Sequence, residues 1–230
     1  MYIQDLVIEV TRKCNMSCEF CLRGEPQKKN ITYKTMFNFF KNNNIKEVNC
    51  ITFSGGEPTL NLKGMKDCLQ ICKDLNVNVY NFYVAINGTK VEEEFLYFLV
   101  SMYNYCAENE FSLVQVSTGY PYDYAQNEDE VKKLECFKFF SKKSPTNYSY
   151  YINEGRAIEF NRLNGVEGRE IGEPEPLEIE DDQINEPYLY LNAKGDILTD
   201  CDYSYKSQNK FKIGNVNEST LYEMENNQRR

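Results

Sequence analysis

Histidine is absent from this chain, tryptophan is absent too, and cationic residues are in deficit. Without histidine there is no Ser-His-Asp or Cys-His nucleophile pair, no His-ligated zinc, no His-anchored haem and no His general base. Twenty-six Lys and Arg face 35 Asp and Glu, a net charge of −9. That balance argues against a broad phosphate-binding surface, and so against general nucleic-acid binding, while leaving room for a local basic groove. Long apolar runs are missing as well. The most apolar stretch, Phe95 to Tyr105, is too short to span a bilayer and is interrupted by Ser and Asn, so no membrane partner is expected. The start, Met1-Tyr2-Ile3-Gln4-Asp5-Leu6, lacks the basic and then apolar pattern of a secretory signal. A cytoplasmic protein is the expectation.

What the chain does have is cysteine, nine in 230 residues. In a reducing compartment clustered thiols suggest metal ligation before disulfides. The 41% hydrophobic content suffices for one sizeable core, in one domain or one domain with a small appendage.

Hydrophobic patterning predicts an alternation of strands and helices. Strands are expected over Ile3 to Val10, Val48 to Phe53, Val77 to Ile86, Phe111 to Val116 and Tyr148 to Ile152. Helices are expected over Thr32 to Asn42, Leu62 to Leu75, Val91 to Cys106 and Glu128 to Phe140. Strands joined by helices of this length imply right-handed βαβ units and a parallel sheet. Glu167 to Pro187 is acidic, proline-bearing and without period, and reads as a loop. Tyr188 to Leu191 and Asp196 to Thr199 flank Asn192-Ala193-Lys194-Gly195 as a hairpin, and Ser219 to Asn227 reads as a closing helix.

Cys14, Cys18 and Cys21 form C-x₃-C-x₂-C directly after the first strand. Three thiolates in one short loop can converge on one metal, and soft sulfur ligands favour zinc or iron–sulfur. Structural zinc needs four ligands and a [4Fe–4S] cluster ordinarily takes four cysteines, so three leave one position open. A zinc knuckle completed by a distant cysteine such as Cys201, or a non-catalytic iron–sulfur module, is the competing structural interpretation. Phe20, before the third cysteine, is expected to pack against the cluster or an aromatic ring beside it. Asn15 and Met16 read as simple loop residues. At the end of the second strand stands Ser54-Gly55-Gly56-Glu57-Pro58.

The two motifs, in this order and with one helix between them, resemble the signature of the radical S-adenosylmethionine (radical SAM) superfamily. The resemblance implies an α/β fold, a partial (β/α)₆ barrel over residues 1–187 with the cluster near the carboxyl ends of the strands. It implies a [4Fe–4S] cluster on Cys14, Cys18 and Cys21 whose open iron chelates S-adenosylmethionine. Gly55 and Gly56 would let the backbone approach the methionine moiety, and Glu57 would fix the glycine turn or accept from the ammonium group. Asn87, Ser117 and Arg156 are further cofactor-binding candidates. Ser117 has an alternative as a strand-end cap, and Arg156 as a solvated arginine. Gly155-Arg156-Ala157 resembles an element of peptide-modifying members, which points to a peptide or protein substrate. Glycyl-radical activases and nucleotide-modifying members are also compatible. A reductant such as flavodoxin or ferredoxin is implied as partner.

Residues 188–230 resemble the start of a SPASM or twitch appendage, here a short β-hairpin and helix closing the barrel. No cysteine follows Cys201, so one cluster is expected. Cys201 is then a packing thiol or a hydrogen donor to a substrate radical. Cys50, Cys68, Cys72, Cys106 and Cys136 are expected to be packing thiols.

Overall fold

The computed structural model describes residues 1–118, 122–143 and 152–229. The strand β1 (Tyr2–Thr11) leads through the cysteine loop to α1 (Tyr33–Asn42), β2 (Glu47–Gly55), a 3₁₀ turn (Pro58–Asn61), α2 (Leu62–Leu75), β3 (Asn78–Ile86), α3 (Glu93–Tyr105) and β4 (Leu113–Ser117). Short helices α4 (Tyr122–Ala125) and α5 (Glu128–Lys132) precede β5 (Phe140–Lys143), and α6 (Ala157–Asn164) follows. The remainder holds β6 (Ile179–Glu180), β7 (Gln183–Ile184), β8 (Leu189–Leu191), β9 (Asp196–Leu198), α7 (Ser207–Phe211), β10 (Gly214–Asn215) and α8 (Leu221–Gln228).

β1 to β5 pair in sequential order and all in parallel, an open βα barrel wall. β8 joins the other edge of β1, also parallel, and carries antiparallel β9 and β10. The hairpin expected as an appendage is thus hydrogen-bonded into the same sheet as the core. The sheet does not close among the described residues.

The helices form where the pattern and caps agree. Thr32 accepts from Thr35 N to start α1, which buries Met36, Phe39 and Phe40, and Asn43 and Asn44 stop it, Asn44 at φ +48°. Asn61 caps α2 by accepting from Gly64 N, and left-handed Asn76 ends it. Phe53 of β2 meets Phe98 of α3 edge to face at 5.6 Å, joining sheet and helix layers. In β2, β3 and β4 the side chains alternate. Ile51, Phe82, Val84, Val114 and Val116 are buried, while half-buried Thr52, Ser54, Tyr83 and Ser117 line a cavity on the concave side. That period of two aims one set of side chains at the site.

Several expectations change. Beyond α5 the chain tightens into i→i−3 hydrogen bonds from Lys133 to Phe137, rather than continuing as helix to Phe140. Phe137, Phe139 and Tyr103 then stack, Phe82 packing edge-on to Phe139, and this aromatic packing draws Phe140 into the sheet as β5. The strand expected over Tyr148 to Ile152 lies outside the described residues, except Ile152, which bridges Arg169. The acidic segment is not all loop. Asp181 and Asp182, at φ +49° and +61°, make the tight turn of the β6–β7 hairpin, and Gln183 pairs with Tyr2 of β1. Cys68, Cys72 and Cys106 are buried as expected and Cys50 half-buried, but Cys136 is exposed on the turn after α5, its thiol donating to Lys133 O at 3.3 Å. Among the described residues no helix is long and apolar enough to cross a membrane.

Candidate active site at the carboxyl ends of the strands

The two sequence motifs meet backbone to backbone. Where β1 ends, Thr11 O accepts from Gly56 N at 2.9 Å, and Lys13 O accepts from Glu57 N at 2.8 Å. A Cβ on Gly55, whose φ is +147°, would stand 2.1 Å from Thr11 O, and one on Gly56 would stand 2.3 Å from Lys13 O. Both glycines are therefore required by the protein's own chain, whatever else approaches them. The far end of the cysteine loop is gripped the same way. Cys21 O accepts from Gly24 N at 3.2 Å and from Arg156 N at 2.9 Å. A Cβ on Gly155, at φ +55°, would stand 2.4 Å from Leu22 O.

Cys14, Cys18 and Cys21 are half-buried and all three line a cavity of about 430 Å³. Its other walls are Phe20, Gly55, Gly56, Glu57, Asn87, Ser117 and Tyr122, with Thr52 and Tyr83 from the strands behind. Phe20 packs edge to face on Phe160 at 5.7 Å and on Tyr122 at 6.1 Å, so it meets aromatic rings as its position suggested. Burial pushes the Cys18 thiol up to about 11, Cys21 and Cys14 add to this, and Arg156 opposes it. Cys14 is raised by burial too. A metal bound there would have to displace protons from these thiols.

A single tetrahedral zinc with Zn–S near 2.3 Å holds its sulfurs about 3.8 Å apart. Among the described residues the three-ligand group with all donor atoms within 4.8 Å of one another is Asp200, Cys201 and Asp202, not the loop cysteines. Three soft thiolate donors on one loop, each able to bind a separate iron, suit an iron–sulfur cluster.

Hydrogen bonds lock the strand ends around this cavity. Glu57 is buried, its Oε1 accepting from Thr59 N at 3.2 Å and Thr59 Oγ1 at 2.6 Å, and its Oε2 from Asn87 N at 2.8 Å. Burial raises its carboxyl pKa, and the Thr59 and Asn87 hydrogen bonds oppose the rise. Asn87 Nδ2 donates to Asn15 Oδ1 at 2.8 Å, and Asn15 Nδ2 to Thr89 Oγ1 at 2.7 Å. Gln126 Nε2 donates to Asn87 O at 3.0 Å and also to Ser117 O. The Ser117 side chain bonds the Tyr122 phenol. Asn15, which reads in sequence as a plain loop residue, is the tie between the cysteine loop and β3. Gln126 carried no sequence signal at all.

Two candidates lie off the cavity wall. Arg156 is mostly buried, with Nη1 3.5 Å from Glu25 Oε1 and its Nε buried without a hydrogen-bond partner among the described residues. The solvated-arginine alternative is thereby corrected. Cys201 is half-buried against a small cluster of Val7, Tyr190, Leu198 and Tyr203, and burial pushes its thiol up to about 11.

An open parallel βα barrel with a three-cysteine loop and a glycine turn at its carboxyl ends defines a metal- and ligand-binding α/β class. Residues 8–105, from β1 through α3, match the model of the radical SAM superfamily. A match to that superfamily implies a [4Fe–4S] cluster and S-adenosylmethionine as cofactors. The Methanocaldococcus jannaschii protein MJ0804 is 34% identical over 90 residues, which are 39% of this chain and 27% of that protein. MJ0907 of the same organism is 29% identical over 99 residues, 40% of this chain and 33% of that one. The chain thus aligns with a third or less of these relatives' length. Among solved structures, anSMEcpe with bound AdoMet and Cp18Cys peptide has a TM-score of 0.56 at 16% identity, over 96% of this chain and 80% of that one. BtrN has a TM-score of 0.53 at 13% identity, over 96% and 79%. At those identities the likeness concerns the fold.

Proposed function

We propose that the protein is a radical SAM enzyme in which Cys14, Cys18 and Cys21 hold the [4Fe–4S] cluster. The observation that carries this is the convergence of the three half-buried thiols and the Gly55-Gly56 turn on one cavity. Held by Cys14, Cys18 and Cys21, the cluster would supply the electron for reductive cleavage of S-adenosylmethionine, and so the radical chemistry that removes a hydrogen atom from substrate. The chain's own residues bind and orient. Gly55 and Gly56 present backbone without side chains to the cofactor, and Glu57 holds that turn against Asn87. Phe20 gives an apolar wall, and Ser117 a hydroxyl at the end of β4. Arg156 braces Cys21 through its backbone N–H, and its guanidinium supplies positive charge behind the thiolates.

Residues 1–187 act in this reading as the barrel core, and 188–230 as the twitch-like piece that extends it at β1. The substrate is a peptide or protein, supported by the Gly155-Arg156-Ala157 element and by analogy with anSMEcpe, solved with a peptide. The electron donor is a small redox protein such as flavodoxin or ferredoxin. Cys201, off the cavity wall, is a packing thiol rather than a hydrogen donor. Anaerobic reconstitution, reduction and assay for 5′-deoxyadenosine tests the activity: its formation is expected, and a reduced cluster that never cleaves S-adenosylmethionine would defeat the reading.

A further inference from the structure

Beneath the cysteine loop lies a fully buried ion pair. Arg12 Nε donates to Glu9 Oε1 at 2.6 Å, and neither side chain has any exposure. Arg12 is two residues before Cys14, and Glu9 sits at the bulge of β1. A buried pair is costly unless its remaining donors and acceptors are met. Here the partners come from far along the chain. Tyr190 Oη donates to Glu9 Oε2 at 2.8 Å, Gln208 Nε2 to the same oxygen at 3.0 Å, and Ala193 N to Oε1 at 3.0 Å. Arg12 Nη2 donates to Gln208 Oε1, Nη1 to Gln27 Oε1 at 3.1 Å, and the guanidinium lies 4.5 Å from the centre of the Tyr205 ring.

The other end of the loop is tied to the same segment. Arg23 O accepts from Tyr205 N at 3.1 Å, and Arg23 Nη1 donates to Tyr203 O at 2.6 Å. Glu154, next to the Gly155-Arg156 step that grips Cys21, accepts from Ser204 N at 3.0 Å and Ser207 Oγ at 2.8 Å. Residues 190–208 therefore hold the cysteine loop by both stems, through polar groups that a merely space-filling segment does not need.

We propose that Tyr190 and Gln208 are positioning residues for the cysteine loop, acting through Glu9 and Arg12. Neither lines the cavity. This rests on Cys14, Cys18 and Cys21 being the ligands, but the geometry it concerns is that of the protein alone. Removing one donor leaves the buried Glu9 carboxylate short of a partner, and the loop stem opens more often.

The test is thiol reactivity in the metal-free protein, with iodoacetamide labelling resolved by mass spectrometry at each cysteine. Tyr190→Phe, which keeps the ring, and Gln208→Leu, near in volume, are expected to label Cys14, Cys18 and Cys21 about tenfold faster, the value of one hydrogen bond to a charged group. Exposed Cys136 serves as internal reference and is expected to label at the wild-type rate. Ile197→Val, a buried change in β9 outside the network, controls for lost stability and is expected to leave the loop thiols alone. After reconstitution the same two variants are expected to lose iron to a chelator faster than wild type. Wild-type labelling of the loop thiols in Tyr190→Phe, or equal acceleration in Ile197→Val, overturns the proposal. A shift in labelling in a protein whose wild type never takes up iron and sulfide would leave the brace standing and strike the cluster reading instead.

Discussion

Gly56 and Lys13 touch so closely that a methyl group on the glycine would stand 2.3 Å from the lysine carbonyl oxygen and 2.8 Å from its carbonyl carbon. The partner is backbone, which cannot swing aside. Gly56→Ala is expected to cost more than about 2 kcal/mol in stability and to push the cysteine loop off β2, lowering iron uptake on reconstitution. Denaturant unfolding and iron analysis check both. A fully stable variant with normal iron content would contradict the contact.

Glu57 offers only acceptors where it stands, and all three of its donors point at it. Glu57→Gln must turn an NH₂ toward either Thr59 or the Asn87 N–H. A loss of about 1–3 kcal/mol is expected, measured by chemical unfolding. Unchanged stability would show that these hydrogen bonds contribute nothing.

Glu186 gives a pH-dependent expectation. Burial raises its carboxyl pKa, Glu178 and Glu225 adding to the rise, and its Oε2 is buried without a partner among the described residues. A folded pKa above the unfolded one contributes stability below the unfolded value and loses it as pH rises through the folded value. Glu186→Gln, neutral throughout, is therefore expected to gain on wild type at pH 7 and to lose that advantage as pH falls below the carboxylate range. Urea unfolding at both ends checks it; an advantage that grows toward acid would contradict the sign.

Cys201 packs among Tyr190, Leu198 and Tyr203 and stands apart from the cavity wall. Cys201→Ala is expected to keep wild-type iron and sulfide content, with at most a modest loss of thermal stability. Loss of the cluster in this variant would make Cys201 a ligand and return the site to four cysteines.

The sequence was most legible where short-range physics decides. α2 runs over Leu62–Leu75, the bounds its apolar period suggests, because Asn61 and Asn76 cap it locally. The cysteine and glycine motifs could be found because each is contiguous and each follows a strand. What could not be read depends on distant partners. Phe140 enters a strand rather than a helix because its neighbours Phe137 and Phe139 pack into the aromatic cluster with Tyr103 and Phe82, and no window around it contains those rings. Nothing in the residues around Glu9 and Arg12 marks them as buried, and the partners that satisfy Glu9, Tyr190 and Gln208, lie close to the other end of the chain. Asn87 and Ser117 line the cavity, and their hydrogen bonds go to Asn15, Thr89 and Tyr122.

Iron and acid-labile sulfide per chain, measured after anaerobic reconstitution of wild type and of Cys14→Ala, Cys18→Ala and Cys21→Ala, test the central claim most directly. About four of each are expected in wild type, with each single substitution abolishing the loading while leaving cooperative unfolding of the metal-free protein intact. One zinc per chain without sulfide, or a cluster retained when any of the three cysteines is replaced, would contradict it.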